Sequence, residues 1–440
     1  MKYAYRTGAI VCLILPAFFA VVALKSQQPA PLPAYAHKQV ADMLRDAYHE
    51  VKEHYYDPKF HGVDLEARYQ QFVAKIDSLH DAGGGIALTA SFLDGLKDSH
   101  TYLIPPGKPG DFDLGYRLAL VGDNCFVVRV RPKSDAESKL HVGDQVLTVN
   151  GYKVDRNDFH AVQYFFGSLS PRKVQKLDVK SPSGELRTVE VTAAVRRDKV
   201  VTNLTNPNDS FIEDIRNERA DEMSRDKVVE VGDATIWRIR QFSPGTTDID
   251  KAIGSARKHS ALIIDLRGNG GGAVVTLQAL VGSLFDHDIK IADRVGRSNP
   301  KSTIAYPQSK RFDGKVFVLV DGSSASASEL FARVMQLEHR GTVIGDRSAG
   351  AVMEALRYVE SEGMGSQIYY GFSVTDANLM MKDGNSLEKT GVVPDEVMLP
   401  TAADLAAGRD PVLAHAAELA GVKLDGGEAG KMFPFEWMPL

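Results

Sequence analysis

Apolar and polar positions change rhythm twice along the chain. From residue 37 to about 103, apolar residues recur every three or four positions. The stretches are "KQVADMLRDAYHEVKEHYY", "LEARYQQFVAKIDSLHDA" and "ALTASFLDGLKDS". That spacing lines one face of a helix and predicts a small helical unit. After "IPPGKPGDFD" (104–113), where Pro and Gly interrupt any regular element, the runs shorten and grow rich in β-branched residues. "RLALVGDNCFVVRVRP", "KLDVKSP" and "LRTVEVTAAV" read as strands. Beyond residue 196, short apolar runs ("ATIWRIRQF", "ALIIDLRG", "KVFVLVDG", "GTVIGD") alternate with helix-period segments such as "SASELFARVMQLEHR". This alternation predicts α/β layering, with functional groups on the loops that follow strands. The expected organisation is a leader at 1–36, a helical unit at 37–110, a β unit at 111–195 and an α/β core at 196–440.

The leader has the character of a targeting segment. Lys2 and Arg6 precede the apolar run "GAIVCLILPAFFAVVAL" (8–24), and a Pro-rich polar stretch ends in Ala34-Tyr35-Ala36. A basic start, an apolar middle and a small-residue end describe a secretory signal. The run is also near the lower length for a membrane span, so cleavage and anchoring through 8–24 both fit. Either way the chain is expected to be exported, to a periplasmic or extracellular location. Of two cysteines, Cys12 lies in this segment and Cys125 stands alone, which excludes a disulfide framework and a Cys-based zinc site. A net charge of −5 with no block of like charge gives no footprint for nucleic acid. Oligomeric state leaves no mark on the sequence.

The text between the β runs, "DAESKLHVGDQVLTVNGYKV" (135–154), fits a short helix, a strand and a tight Asn150-Gly151 turn. It resembles a PDZ domain, whose signature includes "GD-x-[IVL]-L-x-VNG". The resemblance implies that an extended peptide adds as a strand to the sheet edge, often by its C-terminal carboxylate, near "LGYRLAL" (114–120). A small β-barrel with no peptide function carries the same pattern.

Two stretches of the core carry candidate chemistry. "LIIDLRGNGGG" (262–272) ends a strand in a glycine-rich turn whose backbone N–H groups can face a cleft. An oxyanion hole is one reading and a plain turn another; phosphate binding is disfavoured because no G-x-x-x-x-G-K-[ST] follows. "SSASASELFARVM" (323–335) puts serines where a strand gives way to a helix. A serine there serves as a helix cap or as a nucleophile near the positive helix end, and Ser326 with Glu329 fits a capping box.

"DLRGNGGG", "VDGSSASASE", "GTVIGD" and "GVVPD" follow one another in the order found in the tail-specific, or C-terminal processing, serine peptidase family. The resemblance covers most of residues 37–415. It implies an α/β core of the tail-specific protease type, layered like crotonase, with a helical lead and an inserted PDZ-like β domain. It implies Ser326 as nucleophile, with the Ala327 N–H and a glycine of the Gly270–Gly271–Gly272 run, Gly270 or Gly271 foremost, as oxyanion donors. The commonest branch uses a lysine base about 25 residues after the serine, where this chain has Ala351. A second branch, resembling tricorn protease, uses Ser–His–Glu with an extra serine. "LKDSHTYLIPP" supplies Ser99 and His100, and "SLEKTGVVPD" supplies Glu388. The implied roles are His100 as base, Glu388 as its orienting carboxylate and Ser99 as their hydrogen-bond partner. Lys382 and Lys389 are the substitute bases if His100 is not used.

The reading is an exported serine endopeptidase acting on polypeptides through an acyl-enzyme, with no metal or organic cofactor. Two alternatives stay open: a retinoid or lipid binder on the same fold, and a PDZ scaffold whose catalytic centre has decayed. "GRDP" (408–411) also resembles the second branch; its own content is a proline opening a helix.

Overall fold

A computed structural model describes residues 32–107, 111–196, 225–244, 247–297, 300–362 and 368–437. Of the leader expected at 1–36, residues 1–31, with the apolar run 8–24, lie outside the described residues, while Ala34–Ala36 already form the start of the helix Ala34–His54; among the described residues no helix is long and apolar enough to cross a membrane.

The centre of the molecule is a six-stranded sheet in the order Lys227–Val231, Ala234–Arg238, Ala261–Asp265, Lys315–Val320, Thr342–Gly345, Glu396–Val397. Its first pair is antiparallel and the rest run parallel. A parallel sheet covered on both faces needs strands that are apolar throughout, and this explains the unbroken runs seen in the sequence. Leu262, Ile264, Val316, Val318 and Val320 face one cluster, with helices Ile249–Ala256, Val274–Gly282 and Ala327–Leu337. Ala261, Ile263, Phe317 and Leu319 face the other, with helices Pro411–Leu419 and Gly426–Lys431. The turns after Asp265, Val320 and Gly345 therefore emerge side by side at the carboxyl edge of the sheet.

A second sheet joins distant segments. The long strand Ile368–Met381 pairs with Met353–Glu362, Tyr102–Ile104 and Ile289–Gly296. Helices Ala34–His54, Leu65–Ile76 and Ala82–Asp94 form where the helical period lies, and their apolar faces close over this sheet. Leu44, Val51, Phe72 and Leu93 share one cluster with Leu103, Tyr370, Phe372 and Val374. The helical lead thus completes its core with residues almost 300 positions downstream, and this brings residues 98–101 to the centre of the molecule.

The β unit has its own core, a six-stranded antiparallel sheet from Tyr116–Val121 to Leu186–Thr192, in which the short strand Tyr152–Lys153 pairs with Gln145–Val149, with helix Phe159–Tyr164 against it. Asn150 and Gly151, both at positive φ (51° and 83°), make the tight turn. Strands Asp111–Asp113 and Ala194–Arg196 pair at its base, so the chain enters and leaves at one place. Cys125 is fully buried there and burial pushes its thiol up to about 12, which leaves it unreactive. The unit docks on the core edge through Asp346, which accepts from the Gly122 N–H at 2.8 Å and from Arg156 at 2.6 Å.

Candidate active site

The turn at 321–326 ends at Ser326, the N-cap of the helix Ala327–Leu337. Its neighbours are committed to structure. Ser324 Oγ donates to Leu266 O and Ser328 Oγ to Asn269 O, both at 2.9 Å, and the Ser323 N–H donates to Asp321. The Ser326 N–H donates to Ala351 O at 2.9 Å and to Glu329 Oε2 at 3.0 Å, and the serine and Glu329 form a capping box at the helix start. Ser326 sits at φ 55°, ψ −116°, a backbone conformation that a non-glycine residue keeps only when its surroundings over-determine it.

The glycine turn lies directly against this serine. A Cβ on Gly271 would fall 2.7 Å from Ser326 Cβ and 2.9 Å from Ala327 N, so no side chain fits there. Asn269 holds the turn from within: its Nδ2 donates to Ile239 O and its Oδ1 accepts the Gly271 N–H at 2.8 Å. The Gly271 N–H is therefore engaged in this arrangement, while those of Gly270, Gly272 and Ala327 donate to nothing among the described residues. The Gly271 C=O accepts from Phe242 N–H, and in a trans peptide this turns the Gly272 N–H to the opposite side, away from Phe242.

Residues 98–101 form a tight turn around one carboxylate. Asp98 Oδ1 accepts from the N–H groups of His100 and Thr101 at 2.9 and 2.8 Å and from Thr375 Oγ1 at 2.6 Å. His100 Nδ1 lies 2.7 Å from Ser99 Oγ, which in turn lies 2.8 Å from Glu388 Oε2. Glu388 Oε1 also accepts the Ser99 N–H at 2.8 Å. An ionised carboxylate only accepts, so the serine proton points to Glu388 and the serine oxygen accepts from Nδ1–H. The imidazole then carries its proton on Nδ1 and presents the Nε2 lone pair outward. Burial pushes the His100 pKa below the usual 6.5, against the Asp98 charge, which keeps the ring neutral and able to accept a proton. Burial raises the Glu388 carboxyl, and the Ser99 and Val352 hydrogen bonds oppose it.

The loop after strand Thr342–Gly345 joins the two halves. Ala351 O accepts the Ser326 N–H, and the next residue, Val352, donates its N–H to Glu388 Oε2 at 2.9 Å. Ser99, His100 and Glu388 thus meet from segments nearly 290 residues apart, and the Ala351–Val352 backbone ties Ser326 to Glu388, although no hydrogen bond links Ser326 Oγ to His100. Ala351 contributes only backbone. Lys382 pairs with Glu338 on the exposed surface at 2.8 Å, and Lys389 is exposed. Asn269, Ser348 and Asp98 escaped sequence reasoning, because an amide, a loop serine and a loop aspartate are common and only contacts distant in sequence give them roles. Among the described residues no group of three or more His, Cys, Asp or Glu side chains is arranged to hold a metal ion.

Residues 234–398 match the family model for peptidase family S41, and residues 36–82 match the tricorn protease C1 domain. The chain is 24% identical over 386 residues to the carboxyl-terminal-processing protease of Picosynechococcus sp., covering 83% of this chain and 84% of that protein. It is 30% identical over 275 residues to the tail-specific protease of Haemophilus influenzae, covering 58% of this chain and 36% of that one. The solved structure of mature CPAF complexed with lactacystin superposes with a TM-score of 0.64 at 17% identity, over 88% of this chain and 98% of that chain, a likeness of fold.

Proposed function

Since this chain belongs to peptidase family S41 and is a serine endopeptidase, we propose that it cleaves polypeptides with Ser326 as nucleophile and His100 as base. Ser326 Oγ attacks the scissile carbonyl carbon as its proton passes to His100 Nε2. The proton then goes to the leaving amine, and water repeats the sequence to release the acyl group from Ser326. Glu388 acts through Ser99 to hold the imidazole in the Nδ1–H tautomer and to stabilise the imidazolium. The N–H groups of Ala327 and of the glycine turn, where those of Gly270 and Gly272 are unengaged among the described residues and that of Gly271 is bonded to Asn269, receive the oxyanion; such donors contribute about 3 kcal/mol each. The observation that carries this reading is the hydrogen-bonded series from His100 Nδ1 through Ser99 Oγ to Glu388 Oε2.

The β unit is proposed as a PDZ-like module that takes the C-terminus of the polypeptide along strand Tyr116–Val121. That strand lies at the edge of its sheet with one side unpaired among the described residues. The boundaries 37–110, 111–195 and 196–440 are proposed as the domains, and the leader supports export.

The test is covalent labelling. A fluorophosphonate probe is expected to modify wild-type enzyme at Ser326, located by peptide mapping; a folded, casein-degrading enzyme unlabelled there would sink the assignment, and a chain that neither labels nor cleaves would be a binder. A second test is the pH profile. Because His100 must be neutral to act and burial lowers its pKa, kcat/KM is expected to rise with pH through a midpoint below 6.5 and then stay level. Protonation of Glu388 works in the same direction, since it removes the acceptor for Ser99. A midpoint at pH 8 or above would point to a lysine base instead.

A further inference from the structure

We propose that Glu329 is a positioning residue that locks the nucleophile and the orienting carboxylate into one frame, an inference that rests on the assignment of Ser326 and Glu388. Glu329 is wholly buried in the first turn of the helix Ala327–Leu337. A capping glutamate needs one bond, back to the N-cap amide. Glu329 accepts four. Its Oε2 takes the N–H groups of Ser326 and Ala351, both at 3.0 Å. Its Oε1 takes the Ser348 hydroxyl at 2.6 Å and the Gly350 N–H at 2.8 Å. Three of the four reach out of the helix into the loop at 348–352.

That loop is bonded in turn to the segment carrying Glu388. Ser348 N–H donates to Val392 O and Val392 N–H to Ser348 Oγ, at 3.1 and 2.6 Å. Lys389 N–H donates to Gly350 O at 2.7 Å, and Val352 N–H to Glu388 Oε2 at 2.9 Å. One carboxylate therefore stands between the strained backbone of Ser326 and the segment that presents Glu388. Four donors occupy the acceptor capacity of an ionised carboxylate, and among the described residues no Lys, Arg or His side chain bonds to it. Burial raises its pKa to about 7 against these four bonds. A residue needed only to start a helix gains nothing from such a costly position, whereas a rigid frame around a nucleophile does.

The experiment compares Glu329→Gln and Ser348→Ala with wild-type enzyme. It measures kcat and KM on one peptide, the rate of fluorophosphonate labelling mapped to Ser326, and the melting temperature. Glutamine keeps the shape but turns an NH2 toward two donors, so one pair of bonds is lost. For Glu329→Gln we expect kcat to fall about 100-fold with KM within about twofold, because a shift of the nucleophile of about 1 Å has that effect. Labelling of Ser326 should slow in parallel. Ser348→Ala removes one donor to Glu329 together with the acceptor of the Val392 N–H, and should lower kcat about five- to tenfold by the same reasoning; it carries the test if Glu329→Gln does not fold. A folded Glu329→Gln enzyme with kcat and labelling within about twofold of wild type would overturn the inference, as would a kcat loss fully accounted for by the unfolded fraction. If wild-type enzyme is not labelled at Ser326 at all, it is the assignment of the nucleophile that fails.

Discussion

Replacing His100 by alanine is expected to lower kcat/KM on an unfolded polypeptide by about 10⁴-fold or more, with the fold intact. Without the imidazole nothing removes the Ser326 proton, because Ala351 offers no side-chain base and Lys382 is paired with Glu338 elsewhere. Glu388→Gln should fall roughly 10³- to 10⁴-fold, since a neutral amide neither fixes the Nδ1–H tautomer nor stabilises the imidazolium. Ser99→Ala should fall less, about 10- to 100-fold, because the carboxylate keeps its charge and loses only the hydroxyl between it and the ring. The three residues act as a unit through bonds of 2.7 and 2.8 Å, so the double variant His100→Ala/Glu388→Gln should be no slower than His100→Ala alone. Steady-state kinetics on one peptide, with circular dichroism as the control for folding, decide it. Full additivity of the two losses would show that Glu388 does not act through His100, and cleavage that survives His100→Ala would mean another base.

The candidate site was legible as a set of residues and illegible as a geometry. The alternation of apolar runs located the core strands because a buried parallel sheet must be apolar on both faces. The resemblance joined Ser326 with Ser99, His100 and Glu388. No local pattern showed that Thr375 would hold the Asp98 turn from across a strand, or that Ala351 and Val352 would connect the two halves by backbone alone. Backbone hydrogen bonds are blind to residue type, and sequence reading sees only residue type. The same limit explains Gly271: a run of three glycines says that the backbone comes close, but which N–H remains unengaged depends on Asn269 and Phe242. The helical period at 37–103 was equally visible, yet the partner that buries those helices, the strand Ile368–Met381, lies far along the chain where no periodicity refers to it.

The largest loss of stability is expected at a pair of motifs with no catalytic role. Arg267, from "DLRG", donates to both oxygens of Asp265 at 2.8 Å and to both oxygens of Asp410, from "GRDP", at 2.8 and 2.7 Å. Asp265 is wholly buried and Arg267 partly so, its side chain 16% exposed. Asp410 also caps the helix Pro411–Leu419 through the Leu413 N–H, so this cluster fastens the C-terminal helices to the end of a core strand. Arg267→Ala leaves a buried carboxylate without its cation, a change that costs about 3–5 kcal/mol and lowers the melting temperature by roughly 10 °C. The effect has a definite sign in pH. Burial acts to raise the Asp265 pKa, but Arg267 outweighs it and holds the carboxyl down at about 2, against an ordinary 3.8. Its contribution is therefore present above pH 3.8 and lost as pH falls toward 2. The gap between wild type and variant should accordingly be widest near neutrality and narrow on acidification. A gap that stays constant with pH would mean that lost packing, not the uncompensated charge, carries the loss. Activity well below the melting temperature should change by less than about tenfold. The glycine turn that begins at the next residue is held separately, by Asp321 at the Gly268 N–H and by Asn269 at the Gly271 N–H.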